Sequence, residues 1–229
     1  MTAPVLHRHA DAAALADAVA AIMLEAAQGP GGLPAHLILS GGTTPGEAYR
    51  RFARALDPDL RPALTLADER WVPADDARSN ARLLRETLGE AVMAGFVPLW
   101  RGGATPQEDA AAASRALAAL PRPVDLVLLG MGEDGHTASL FPDDAELAAR
   151  LDPASAPAVA VARPPSQPEP RLTHNLAALI AARRIVLMLK GAAKLEVLNR
   201  ARAGDDAREM PVRAVLAHAP VPVEIHACP

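Results

Sequence analysis

A carboxylate and an imidazole stand two residues apart near the middle of the chain. Asp134 and His136 are separated by Gly135, which permits a sharp bend between them. Histidine has the side chain whose unperturbed pKa lies nearest neutrality, so it can take a proton from water and return it. The pair therefore indicates general acid–base chemistry. An isolated Asp-Gly-His, by contrast, would more often be an ordinary glycine turn.

The pair belongs to a glycine-rich loop that follows an apolar run. The run at 124–129 is short, rich in branched residues and bounded by Pro123 and Gly130, which predicts a buried strand. Ligands of open α/β sheets bind beyond the carboxyl ends of the strands, so we expect the loop to line a site. The loop also matches the dinucleotide pattern G-x-G-x-x-G. We reject that function, because two acidic residues precede the last glycine and Pro142 follows too soon for a long helix.

A second glycine loop lies between a buried strand predicted at 36–39 and a helix predicted from Pro45 to about Leu56. We expect Thr44 to cap this helix, with Glu47 completing a capping box. A glycine loop that leads into a helix N-terminus is suited to binding an anion. No G-K-[ST] follows, so a nucleoside triphosphate is not indicated. From these residues alone, an ordinary capped helix is as good an interpretation as a phosphate site.

Acidic residues cluster after a third short strand, predicted at 64–66. We expect no metal there, because no histidine lies at ligand spacing near the four carboxylates, which are Asp68, Glu69, Asp75 and Asp76. The other six histidines show no ligand or triad spacing either, so we assign core or surface roles to His7, His9, His36, His174, His218 and His226.

Strands and helices alternate along the chain, and this order predicts an α/β fold with a mostly parallel sheet and helices on both faces. Further strands are predicted at 158–162, 184–190 and 221–227, and helices at 11–28, 79–88, 105–120, 143–151, 191–203 and 211–217. The last strand contains Pro222, which favours an edge position. Four prolines at 164–170 predict a stiff loop that delivers Arg171.

Composition limits the class of protein. With 229 residues, half of them apolar, the chain can form one domain over 1–229. A net charge of −4 provides no basic field for nucleic acid or an anionic membrane. Cys228 is the only cysteine, and we expect it to be a free surface thiol. No membrane span or signal peptide is evident, so we expect a cytoplasmic protein.

Six blocks of the sequence resemble, in order, the motifs of the 6-phosphogluconolactonases of the glucosamine/galactosamine-6-phosphate isomerase superfamily. They are Ser40-Gly41-Gly42-Thr43-Thr44-Pro45, Asp68-Glu69-Arg70-Trp71-Val72-Pro73, Ser79-Asn80, the run from Gly130 to Pro142, Arg171-Leu172-Thr173, and Gly191 with Lys194. The chain departs from the pattern at His174-Asn175, where the family usually has apolar residues or threonine, and at Ala81, where it has tyrosine.

This resemblance implies a Rossmann-like fold of the glucosamine-6-phosphate deaminase/ribose-5-phosphate isomerase type. It implies hydrolysis of 6-phospho-D-glucono-1,5-lactone in the oxidative pentose phosphate pathway, without a metal or organic cofactor. His136 would act as the general base and Asp134 would orient it. The substrate and its phosphate would be bound by Gly41, Gly42, Thr43, Thr44, Asp68, Arg70, Gly132, Arg171 and Lys194. We expect a small sugar phosphate as the partner, and a monomer or weak homodimer.

Three alternatives stay open. The deaminases of the superfamily have Asp-Glu-Tyr where this chain has 68–70, and Asn-Glu-Pro where it has 139–142, so two positions argue against deamination. A sugar-phosphate sensor module would not need Asp134 and His136 together. A sugar-phosphate isomerase on a similar sheet is the third alternative.

Overall fold

A six-stranded parallel sheet forms the centre of the fold. The computed structural model describes residues 3–31 and 33–229, so Met1, Thr2 and Gly32 of the predicted 1–229 domain lie outside the described residues. With strands numbered along the chain, the spatial order is β1 (Val5–Arg8), β9 (Val223–Cys228), β8 (Ile185–Lys190), β5 (Leu126–Leu129), β2 (His36–Leu39) and β3 (Ala63–Leu66). All neighbouring pairs in this sheet are parallel, which confirms the predicted sheet.

Helices cover both faces of this sheet, as predicted. Side chains alternate across a strand, so Leu37 and Leu39 pack into one core cluster and Ile38 into the other. The first cluster includes residues of α1 (Ala12–Ala27), α2 (Gly46–Ala55), α3 (Asn80–Leu88), α4 (Glu90–Met93) and α5 (Pro106–Ala118). The second includes residues of α6 (Leu147–Arg150), α7 (Leu176–Ile180), α8 (Ala192–Arg202) and α9 (Val212–His218). Among the described residues, no helix has the length and apolar character needed to cross a membrane.

Three helix starts follow the capping residues that the sequence predicts. Asp11, Ser79 and Thr105 each accept a hydrogen bond from the backbone N–H three residues further on, at 2.8, 3.2 and 3.2 Å. These bonds satisfy N–H groups that have no partner within the first helical turn.

The capping box predicted at Thr44 is wrong. Helix α2 begins at Gly46 with Pro45 as its N-cap residue, and no side chain caps it. Glu47 instead pairs with Arg50 and Arg51 further along the helix, at 3.3 and 3.1 Å. Pairs at these spacings lie on the same helix face, so the carboxylate is drawn away from the helix start. The N-terminus of α2 therefore remains open towards the glycine loop.

The chain termini differ from the prediction. Val5–Arg8 forms β1, which was not predicted, and β1 takes the edge position expected for the last strand. Pro222 precedes β9 rather than interrupting it, so β9 can pair on both sides. Cys228 is free, but at 1% exposure it is buried in β9 and not a surface thiol. Elsewhere in the chain, the helix predicted at 143–151 is shorter than expected, since only Leu147–Arg150 is helical.

A second sheet of three short antiparallel strands was not predicted. It consists of β4 (Asp68–Arg70), β7 (Arg171–His174) and β6 (Val159–Ala162), with β7 in the middle. Strand β4 follows β3 after a single residue, Ala67, whose backbone bonds to both Leu39 of the main sheet and His174 of β7. The two sheets are thereby joined at one point, and the proline-rich segment 164–170 leads into β7 as expected.

His174, at the position where the chain departs from the family pattern, is an uncharged core residue. It is 1% exposed, and neither ring nitrogen has a hydrogen-bond partner among the described residues. Burial lowers its pKa to about 3, and the neighbouring charges of His36 and Arg122 act in the same direction. His36 is also fully buried, and burial lowers its pKa to about 4. Both rings are therefore neutral at pH 7.

These two histidines should make the protein sensitive to acid. An unfolded histidine titrates near pH 6.5, so below that pH the unfolded state binds protons that the folded state excludes. The free energy of unfolding should then fall as the pH falls from about 6.5 towards 4, by up to about 1.4 kcal/mol per pH unit for each histidine. Urea unfolding of His174→Leu at pH 7, 6, 5 and 4 should give a shallower fall than the wild type.

The exposed His218 at the end of α9 provides the control. His218→Asn should follow the wild-type slope. A His174→Leu variant that loses stability as steeply as the wild type would contradict the neutral, buried state of this ring.

Candidate active site

A cavity of about 400 Å³ opens at the carboxyl ends of three adjacent strands of the main sheet, β2, β5 and β8. Its walls include 40–45 after β2, 128–132 at the end of β5 and 188–190 at the end of β8. The second sheet contributes Asp68 and Arg171. This is the edge at which open α/β sheets bind their ligands.

Ten of the eleven residues predicted from the sequence line this cavity: Gly41, Gly42, Thr43, Thr44, Asp68, Arg70, Gly132, His136, Arg171 and Lys194. The eleventh, Asp134, does not line it but contacts His136. The cavity is also lined by four residues for which no role was predicted, namely Asn80, Phe141, Gln167 and Lys190. Asn80 and Phe141 belong to two of the motif blocks that resemble the family, Ser79-Asn80 and the run from Gly130 to Pro142, whereas nothing in the sequence singled out Gln167 or Lys190.

Asp134 fixes the His136 ring from the side away from the cavity. The carboxylate Oδ1 lies 2.6 Å from Nδ1 of His136 and also accepts the backbone N–H of His136 at 3.1 Å. With the Nδ1 proton directed at the carboxylate, Nε2 keeps its lone pair and can accept a proton. Phe141 stacks on the face of the ring, with centroids 4.3 Å apart. The imidazole is thus held at one edge by a carboxylate and on one face by an aromatic ring.

The carboxylate stays ionised. Partial burial raises the pKa of Asp134, but the hydrogen bonds and the charge of the His136 side chain outweigh burial and lower that pKa below its usual value. An ionised carboxylate at Nδ1 stabilises the imidazolium that forms when Nε2 takes a proton.

Gly132 makes room for the pair. A Cβ atom at this position would lie 2.1 Å from His136 Nδ1 and 2.5 Å from Asp134 Oδ1, so no other residue fits without moving both side chains. Its N–H donates to the carbonyl of His136 at 2.8 Å, and the N–H of Gly135 donates to the carbonyl of Gly132 at 3.2 Å. Both glycine N–H groups are used within the loop and are not available to a ligand.

The end of this loop is tied to the second sheet. The N–H of Ser139 donates to Thr173 Oγ1 at 3.1 Å, and its hydroxyl donates to Asp68 Oδ2 at 2.6 Å. Thr137 donates to the carbonyl of Gly130 at 2.8 Å and closes the loop on itself. Ala138, between them, has a φ of +48°, in the left-handed region that alanine rarely adopts.

Two arginines lie directly opposite each other on the cavity wall. Arg70 of β4 and Arg171 of β7 are partners in the antiparallel register. Like charges in this position repel, so a bound anion would relieve the repulsion. Lys190 and Lys194 also line the cavity, and among the described residues neither forms an ion pair. The wall therefore carries an excess of positive charge on a chain whose net charge is negative.

Arg171 is held in place before any ligand binds. Its side chain is 6% exposed, donates to Gln167 Oε1 and lies 3.8 Å from Glu169. Burial lowers its pKa, and the charge of Arg70 acts in the same direction, but an arginine remains charged after a moderate decrease. His174 does not disturb this residue, because side chains of a strand alternate and the two positions point to opposite faces.

The loop after β2 presents backbone N–H groups to the same space. The N–H groups of Gly42, Thr43 and Thr44 make no hydrogen bond to any described residue. Asn80 packs so closely on Gly41 that a Cβ atom there would lie 2.1 Å from the Asn80 amide. The loop thus combines unpaired donors with the open N-terminus of α2, which together favour an anion.

The acidic residues considered for a metal do not converge on one point. Glu69 accepts four hydrogen bonds, Asp68 accepts one from Ser139, and both oxygens of Asp76 accept bonds from Arg78. Five of the six carboxylate oxygens of these three residues therefore accept bonds from protein donors.

Comparison with known proteins identifies the family. A family model described as glucosamine-6-phosphate isomerases/6-phosphogluconolactonase matches residues 8–223. The chain belongs to this family. A 6-phosphogluconolactonase of Rhizobium meliloti (strain 1021) is 41% identical over 220 residues, which cover 95% of this chain and 94% of the relative. The resemblance found in the sequence is confirmed.

Solved structures confirm the isomerase/lactonase fold. The crystal structure of a 6-phosphogluconolactonase from Shewanella baltica OS155 matches with a TM-score of 0.88 at 37% identity, covering 99% of this chain and 98% of that one. A monomeric glucosamine-6-phosphate deaminase matches with a TM-score of 0.81 at 18% identity, covering 98% and 97%, and this likeness shows the fold alone.

Glu69, in the Asp-Glu-Arg block that resembles the family motif, is buried next to the cavity wall and bonds to residues that form it. It is 1% exposed and accepts bonds from the N–H groups of Arg70, Asn80 and Ala81 and from the Ser79 hydroxyl, at 2.7–2.9 Å. Burial raises its pKa, and the four donors oppose this increase. In the sequence, Glu69 stands in a motif block and among the carboxylates considered for a metal, but its bonds to the start of α3 depend on tertiary structure and could not be predicted.

Replacing Glu69 by glutamine should destabilise the protein. A glutamine has one acceptor oxygen, and its NH₂ group would face backbone N–H donors, so at least two charge-assisted bonds are lost. We expect the free energy of unfolding to fall by about 2–4 kcal/mol, measured by urea unfolding at pH 7. Glu86→Gln on the exposed side of α3 is the matched control and should change stability by less than about 1 kcal/mol. Equal effects of the two substitutions would contradict the role of Glu69.

Proposed function

We propose that this protein hydrolyses 6-phospho-D-glucono-1,5-lactone to 6-phospho-D-gluconate in the oxidative pentose phosphate pathway. Membership of the family and the activity named for its relatives support the substrate. The single observation that carries the proposal is the 2.6 Å contact between Asp134 Oδ1 and His136 Nδ1, at a cavity lined by four cationic side chains and by backbone N–H groups that bond to no described residue.

The phosphate would bind between the loop after β2 and the arginine pair. Arg171 can donate two parallel hydrogen bonds to phosphate oxygens, whereas Lys194 acts as a point charge. The N–H groups of Gly42, Thr43 and Thr44 add neutral donors. This arrangement supports binding of a sugar phosphate without a metal ion, because the protein itself supplies the positive charge.

Hydrolysis would proceed through a tetrahedral intermediate. A water molecule attacks C1 of the lactone, and Nε2 of His136 takes one of its protons as the new C–O bond forms. The carbonyl oxygen becomes an alkoxide. The alkoxide then collapses, the bond between C1 and the ring oxygen breaks, and the imidazolium returns its proton to that oxygen. The product is the open-chain acid, which ionises to 6-phosphogluconate at neutral pH.

In this reaction Asp134 would hold the ring in one tautomer and stabilise the imidazolium between the two proton transfers. Because the same proton moves from water to the ring oxygen, the hydrolysis needs neither an oxidant nor a cofactor. The buried thiol of Cys228 requires no oxidising compartment, in keeping with the expected cytoplasmic location.

The cavity fits a lactone better than an amino sugar. Phe141, an apolar residue, stacks on His136 within the segment where deaminases have Asn-Glu-Pro, so no additional carboxylate is supplied for ring opening and loss of ammonia. Hydrolysis of an activated ester requires only one base.

Replacing the base should lower turnover specifically. A coupled assay that generates the lactone in situ and compares phosphogluconate formation with the spontaneous rate should show kcat reduced about 10²–10⁴-fold for His136→Asn, with little change in KM. His218→Asn is the control and should match the wild type. If the folded wild type does not accelerate the reaction, the lactonase proposal is wrong, and ammonia release from glucosamine 6-phosphate should be measured next.

Replacing the proposed phosphate ligand should affect binding. Arg171→Ala should raise KM about 10- to 100-fold, since a charge-assisted hydrogen bond contributes about 1.5–3 kcal/mol, and should lower kcat less. Inorganic phosphate should compete with substrate in the wild type and much less in this variant. Arg82→Ala, an exposed arginine of α3, is the control. Loss of kcat alone in Arg171→Ala would contradict this division of roles.

A further inference from the structure

Three histidines and a glutamate come together on the edge of the main sheet, outside the cavity described above. His7 and His9 lie on β1, and Glu224 and His226 lie on the neighbouring strand β9. His7 and His226 are partners in the parallel register, and residues two apart on a strand point to the same face. These residues could not be grouped from the sequence, because the two strands are more than 200 residues apart.

The donor atoms converge. One ligand atom of each of His7, Glu224 and His226 lies within 4.8 Å of the others. The His7 and His226 rings are 4.5 Å apart between centroids. His226 is 5% exposed, and its Nε2 has no hydrogen-bond partner among the described residues, although Glu224 Oε2 is only 3.6 Å away. A buried ring nitrogen without a partner is costly unless a ligand occupies the space beside it.

His9 sets the ring of His226. His9 Nε2 lies 3.0 Å from His226 Nδ1, within hydrogen-bond distance. When Nδ1 of His226 donates this bond, Nε2 carries the lone pair and faces Glu224. Histidines that bind metals are usually fixed in this way, with the second ring nitrogen bonded to a neighbouring group. His9 is thus in position to orient a metal ligand.

We propose that His7, Glu224 and His226 form a binding site for a divalent transition-metal ion of the zinc class, which joins the N-terminal strand β1 to β9. Two imidazoles and one carboxylate are a donor set that zinc uses, with a fourth position left for water. Ligand atoms of a tetrahedral zinc site lie about 3.3 Å apart, so the donors must approach one another by about 1.5 Å. His7 is exposed at the sheet edge and can make this movement.

Arg184 should weaken the affinity of this site for a metal cation. It donates to both oxygens of Glu224, at 2.7 and 2.9 Å, and also pairs with Glu25 of α1 at 2.7 Å. Each carboxylate oxygen has a second lone pair, so Glu224 can bind an ion while bonded to Arg184. The positive charge of Arg184 nevertheless opposes a cation, and removing that charge should tighten the site.

This site should act on stability and not on turnover. None of the four side chains lines the proposed catalytic cavity. A metal ion that binds only the folded protein stabilises it in proportion to the logarithm of the ion concentration over Kd. At a zinc concentration of about 100 times Kd we expect Tm to rise by about 5–10 °C.

The test uses untagged full-length protein stripped with a chelator and titrated with Zn²⁺ by calorimetry and thermal unfolding. All proteins carry His136→Asn, so that the exposed Asp134–His136 pair does not bind the ion. One zinc per chain should bind, and His7→Gln should lose both the binding heat and the Tm increase. His218→Gln, the control, should retain both, and Arg184→Gln should bind more tightly. His7 is at the sheet edge, so its variant should fold even if a His226 variant does not.

Absence of zinc binding, or equal binding by the His7→Gln protein, would overturn the proposal. In the background with an intact His136, the lactone assay should give the same kcat for wild type and His7→Gln, with and without chelator. Failure of the metal site would therefore leave the lactonase result untouched, and the reverse also holds.

Discussion

The buried carboxylate of Glu69 is the constraint on which the cavity depends. It gathers the N–H groups at the start of α3 and the end of β4 around one negative charge. Asn80 is thereby fixed against Gly41 of one glycine loop. Asp68, next to Glu69, is fixed to Ser139 of the other. Glu69 does not itself line the cavity, yet it holds together four segments that are far apart in the sequence, around residues 41, 69, 80 and 139.

The electrostatics of the site follow from this arrangement. The chain as a whole is acidic, yet Arg70 and Arg171 are partners in register on adjacent strands, so two like charges lie next to each other on the cavity wall. The carboxylates nearby are already bonded to protein donors. Positive charge is therefore concentrated where a phosphate would bind, and the carboxylate of Asp134 lies next to the cavity, bonded to His136.

Much of the main sheet could be predicted because buried parallel strands are continuous apolar runs, as at 36–39 and 126–129. Helix starts could be predicted where a side chain reaches an unpaired N–H group, as at Asp11. The prediction failed at Thr44, because the arginines of α2 attract Glu47. Strands β1 and β4 were not predicted, because β1 has only four residues, two of them apolar, and β4 has three polar residues, and neither is long enough to show a periodicity. The motif blocks located ten of the cavity-lining residues, but contacts that depend on strand pairing, such as His7 with His226, are decided by tertiary structure.

Ala138, in the loop that carries Asp134 and His136, has a left-handed backbone that is strained but restricts the loop to few conformations. An alanine in this region costs about 1–2 kcal/mol, and a glycine would remove that strain. A glycine would also give the unfolded loop, and the folded one, many more accessible conformations. The neighbouring hydroxyls of Thr137 and Ser139 must both find fixed acceptors. A slightly strained alanine therefore keeps the loop in one conformation with less loss of chain entropy than a relaxed glycine would incur.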